Sequence, residues 1–145
     1  METKKNKTGQ MWIQTFFAIA AISWMPHLSC HYYRLETGST FILGNLHFSV
    51  LASVLFMAFY SILILMNIIA ITQESIRFIA AISSGVFHIS FGFLHIARLI
   101  IGFNFEVFGY EWSRASSLRE ILFVFPFGII CIIISFNLRM KVKLG

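Results

Sequence analysis

Phe78–Phe103 reads FIAAISSGVFHISFGFLHIARLIIGF, and this stretch decides the fold. A helix needs roughly 20 predominantly apolar residues to cross a bilayer, and this run is long enough. Within it GVFHISF is followed at once by GFLHIAR, an imperfect heptad repeat. Ala81, Gly85, His88, Gly92, His95, Leu99 and Gly102 recur at alternating steps of four and three. Such steps keep their side chains on one helix face. Small residues on that face let another backbone approach closely, which is how membrane helices associate when water supplies no driving force. Strands of a membrane barrel would alternate apolar and polar residues instead.

Three further stretches have the same character: about 11–30 (MWIQTFFAIAAISWMPHLSC), 46–71 (LHFSVLASVLFMAFYSILILMNIIAI) and about 118–137. The last is opened by Ser117-Leu-Arg-Glu120, whose S-x-x-E spacing predicts a capping box. Thr72-Gln-Glu-Ser75 is a weaker version before the third span. The expectation is an all-α protein, a single membrane domain over 1–145. It would be a four-helix bundle of antiparallel, up-down spans joined by short loops.

Composition agrees. The 145 residues are 58% hydrophobic and only 12% charged, with a mean hydropathy of +0.81. Soluble domains are nearer half apolar and a quarter charged. The net charge of +5 does not indicate a nucleic-acid partner, because the basic residues are scattered at the ends of apolar runs instead of forming one solvated face. Lys4, Lys5, Lys7, Arg77, Arg139, Lys141 and Lys143 fall on one side; Arg34, Arg98, Arg114 and Arg119 fall on the other. That bias places both termini in the cytoplasm, with a multi-pass protein in the cytoplasmic (inner) membrane if bacterial. A Lys-rich start before an apolar run also describes a signal peptide. Pro26 and the polar residues after it favour a retained first helix.

Ionisable residues inside a membrane are functional-site candidates by default. His27 and His31 share a face at i, i+4 on the outer end of span one, and His47 opens span two at the same boundary. His95 lies at a depth comparable to His27, with Arg98 one turn nearer the rim. The outer half can therefore gather His27, His31, His47, His95, Arg98, Arg34 and Glu36. In span two, Ser53, Tyr60 and Asn67 form a heptad stripe from which Ser53 and Tyr60 could satisfy His88 or His95.

A b-type haem needs two imidazoles from different helices at one depth, with small residues beside the ring. His95 and His27, flanked by Gly92, meet this on paper, and His88 is a further candidate. His88 and His95 cannot serve one iron, since a heptad separates them by about 10 Å. A transition-metal site from His27, His31 and His47 is a weaker alternative. Cys30 and Cys131 sit at different depths and cannot form a disulfide.

The leading expectation is a membrane subunit or cofactor-holding bundle with a haem- or quinone-linked redox role. Besides the lipid bilayer, its partner would be another protein or a second copy, met through the Gly85/Gly92 seam. The alternatives are a small transporter or proton pathway along a His/Tyr/Ser ladder that includes Tyr60, and a surface enzyme acting on a lipid or quinone through His31, Arg34 and Glu36. No catalytic residue is assigned.

Overall fold

The computed structural model describes the backbone of residues 2–107 and 110–144 and the side chains of 7–107 and 110–139. Lys4, Lys5, Lys141 and Lys143, used above for orientation, lie outside the residues whose side chains are described. The chain forms four long helices, α1 (Glu2–Thr37), α2 (Val50–Thr72), α3 (Arg77–Ile101) and α4 (Arg114–Leu144). Three runs are long and apolar enough to cross a membrane: Val50–Thr72, Glu74–Ile101 and Arg114–Arg139. Helix α1 is not among them, although it is the longest. Gln14, Thr15, Ser23, Pro26 and His27 dilute its apolar run.

The external connections, expected as loops, carry short strands. These are β1 (Phe41–Leu43) and β2 (Leu46–His47) after α1, and β3 (Phe105–Val107) and β4 (Tyr110–Glu111) after α3. They pair into one antiparallel sheet in the order β2-β1-β3-β4. Leu46 and His47, read above as the start of span two, therefore belong to a strand. Helix α2 begins at Val50, capped by Ser49, whose hydroxyl accepts from the Ala52 amide. Helix α4 likewise starts one turn before the expected capping box: Ser113 Oγ accepts from the Ser116 amide, and Ser117 lies inside the helix.

The two halves are copies of one unit. His31-x-x-Arg34-Leu35-x-x-Gly38-x-x-Phe41 recurs as His95-x-x-Arg98-Leu99-x-x-Gly102-x-x-Phe105, and Ser49-x-x-x-Ser53 recurs as Ser113-x-x-x-Ser117, all at one constant offset of 64 positions. Gly38 and Gly102 both take positive φ, 66° and 76°, which ends each first helix in a left-handed turn. Residues at the same place in the two copies touch. Ile42 pairs with Glu106 across β1 and β3. The rings of Phe41 and Phe105 are 6.2 Å apart, those of His27 and Phe91 5.2 Å, and those of Trp24 and His88 4.0 Å. These contacts define a pseudo-twofold axis that runs down the helices from the centre of the sheet.

Within each half the paired helices pack tightly. A Cβ on Gly92 would come within 2.5 Å of the Phe125 ring, and one on Gly128 within 2.9 Å of the Ile89 backbone nitrogen. The Gly85/Gly92 seam, expected to meet a partner or cradle a cofactor, is thus occupied by α4 of the same chain. Between the halves, Asn67 Nδ2 donates to Ser84 Oγ at 2.9 Å, joining α2 to α3.

Candidate functional site

Each half closes the end nearest the sheet with a matching arginine latch. Arg34, 3% exposed, donates from Nη1 to the Ser49 carbonyl (3.0 Å) and Ser53 Oγ (2.6 Å), from Nε to the Ser39 carbonyl, and from Nη2 to the Phe48 carbonyl. Arg98, 5% exposed, repeats this on the Ser113 carbonyl (3.0 Å), Ser117 Oγ (2.7 Å) and the Trp112 carbonyl. The acceptors lie just ahead of α2 and α4. The same serines hold histidines: His31 Nδ1 is 3.1 Å from Ser53 Oγ, and His95 Nδ1 is 3.2 Å from Ser117 Oγ. Ser53 and Ser117 are fully buried, because a hydroxyl that serves both a guanidinium and an imidazole has no room for water.

Beneath the sheet, between the halves, lies a cavity of about 470 Å³. His27, His31, His88 and His95 line it, together with Tyr60 and Cys30. Phe41, Phe105 and Trp112 form its outer wall, and Phe91 and Phe127 its flanks. The His27 ring lies among aromatic neighbours, 5.6 Å from Trp24, 5.4 Å from Tyr60 and 5.2 Å from Phe91. His27 Nδ1 is buried without a hydrogen-bond partner of normal geometry, facing only the Ser23 carbonyl of its own helix. His88 Nδ1 donates to the Ser84 carbonyl at 2.7 Å. That bond fixes the His88 tautomer and leaves its Nε2 lone pair free, the arrangement typical of an imidazole that serves a ligand. No side-chain or backbone group bonds Nε2 of His31, His88 or His95, or the Tyr60 hydroxyl, among the described residues.

The structure brings His27, His31, His88, His95, Tyr60 and Arg34 to one cavity and leaves four expected participants, His47, Glu36, Gly92 and Arg98, outside its lining. His47 is exposed in β2, Glu36 is exposed at the end of α1, and Gly92 faces Phe125. Arg98 is spent on the latch. Among the described residues, no three His, Cys, Asp or Glu side chains are placed to hold a metal ion. Ser53 bonds His31, not His88 or His95. Glu120, read above as half of a capping box, lines the cavity. Trp112 also lines it and was missed above. The repeat would have found it, since Trp112 occupies the place of Phe48 before the paired serines.

Compared with known protein families, curated proteins and solved structures, the chain matches none of them.

Proposed function

We propose that this chain is a multi-pass membrane protein, a four-helix bundle with both termini in the cytoplasm, that holds a redox-active ligand in the cavity between its two halves. One observation carries this reading: four histidines line one cavity, three of them anchored through Nδ1 with Nε2 free. Buried polar atoms are normally paired, and those left unpaired mark a missing partner. The first form to test is a b-type haem with His27 and His95 as axial ligands, because the two come from different helices and both line the cavity.

The protein purified in detergent without added cofactor should carry a ligand that the His27→Phe variant loses. Phenylalanine suits that place, since Phe91 stands at its counterpart in the second half. A Soret band in the absorption spectrum identifies haem, and solvent extraction identifies other chromophores. Protein that elutes with no chromophore and binds none overturns the reading.

The repeat favours a second reading, a small transporter or proton pathway. Tandem halves related by an axis along the membrane normal recur in transporters. Proton flux into liposomes that disappears in His88→Ala would decide for it.

A further inference from the structure

Pseudo-twofold symmetry requires two equivalent seams, one between α2 and α3 and one between α4 and α1. They are filled differently. In the α2/α3 seam, Phe59 and Phe87 pack edge to face with ring centroids 4.5 Å apart, and Phe56 and Tyr60 stack beside them. The corresponding positions of the other seam are Phe123, Ser23, Glu120 and Val124. Three large rings are thus replaced by a serine, a valine and a flexible carboxylate. All four of these residues line the cavity, so the cavity is the space that Phe87, Tyr60 and Phe56 occupy on the sister side. Its rim is apolar and open: Ile19 is 51% exposed and Phe123 72%. In a membrane that rim faces lipid.

The interior asks for hydrogen bonds, and its one lining guanidinium, Arg34, is turned to the latch. Among the described residues Tyr60 Oη and the histidine Nε2 atoms have no partner, whereas the Arg34 and Arg98 guanidiniums each direct three bonds from their Nη groups to carbonyl and hydroxyl oxygens of the latch, and Arg98 Nε is buried without a partner. An anionic ligand, including a haem with its two propionates, would meet a single lining guanidinium, Arg34, already held by the latch. A neutral flat ring bearing carbonyl acceptors would find donors from Tyr60 and from His31 and His95, whose Nε2 carries the proton when Nδ1 accepts from the serine hydroxyl, and stacking surfaces from Phe91 and Trp112.

We infer that the occupant is the head group of a membrane-dissolved quinone, entering sideways between α1 and α4 and leaving its isoprenoid tail in the lipid. This rests on the cavity being a ligand site, as proposed above. The neutral ring satisfies the unpaired donors, the lateral rim admits the tail, and the different filling of the two symmetry-related seams explains why the described residues form one such site and not two.

The full-length protein in detergent, titrated with decylubiquinone, should show saturable quenching of tryptophan fluorescence, because Trp112 lines the cavity and Trp24 backs His88. The same ring without its tail should bind more weakly. The double variant Ser23→Phe/Val124→Tyr, which installs the sister seam's side chains, should weaken binding at least ~10-fold, about 1.4 kcal/mol. Tyr60→Phe, which loses one hydrogen bond, should weaken it by roughly 5–10-fold. Ile133→Phe, on the exposed face of α4, should leave binding unchanged. Should the double variant fail to fold, Tyr60→Phe and the tailless ring still test the proposal. Undiminished binding in a folded double variant overturns lateral entry, and undiminished binding in Tyr60→Phe overturns the hydrogen-bonding assignment. A Soret band on purified protein that decylubiquinone does not displace overturns the quinone and leaves the ligand-holding function standing. Binding of neither ligand overturns both.

Discussion

Arg34 and Arg98 show how much one side chain can organise when it is buried among carbonyls. Each guanidinium gathers the ends of two helices, and a planar fork does this where a single ammonium cannot. Arg34→Lys and Arg98→Lys should therefore each lower stability by roughly 2–3 kcal/mol, the worth of about one lost charge-assisted hydrogen bond and the carbonyl left bare by it. Thermal unfolding in detergent measures this, and an unchanged melting temperature in either variant would show that the latch contributes nothing. The sequence puts Arg98 one turn nearer the rim than His95. Its place is legible, but its partners are not, because they come from residues 15 and 19 positions further along the chain. The histidines were the most legible part of the site: i, i+4 spacing put His27 and His31 on one face, and both line the cavity.

At the scale of the helix, the seam of α3 was legible in its composition but not in its target. Alternating steps of three and four identified a buried face, and Ala81, Gly85, His88, Gly92 and His95 are all buried. What covers that face is set by the short hairpin of β3 and β4, which returns α4 against α3. Gly92→Leu should overpack the α3/α4 contact and cost roughly 1–3 kcal/mol, while Leu99→Ile should cost far less. Equal melting temperatures for the two variants would place Gly92 away from any neighbour. The strands escaped the reading because two- and three-residue segments show no periodicity. They pair only because the repeat brings β1 and β3 side by side.

For the whole molecule, the repeat was present in the sequence and hidden by its sparseness. The identical residues are those on the latch and near the axis, such as His31/His95, Arg34/Arg98 and Ser53/Ser117. Elsewhere the two copies diverge, since positions facing outward need only remain apolar. The cavity was less legible still, because it arises from a difference between copies, Ser23 against Phe87. Topology can be tested directly. Cys30 is half-buried and lines the cavity, while Cys131 is fully buried against Gly85. An impermeant thiol reagent added outside intact cells should label Cys30 and spare Cys131; labelling of Cys131 alone would invert the orientation. The latch has one more consequence, which concerns the order of events during synthesis. Each latch draws its bonds from within its own half, so the first pair of helices can be clasped before the second has left the ribosome. The ligand cavity, by contrast, comes into being only when the halves meet. Whatever fills it arrives after the first half has taken shape, and so selects a finished protein without having guided its beginning.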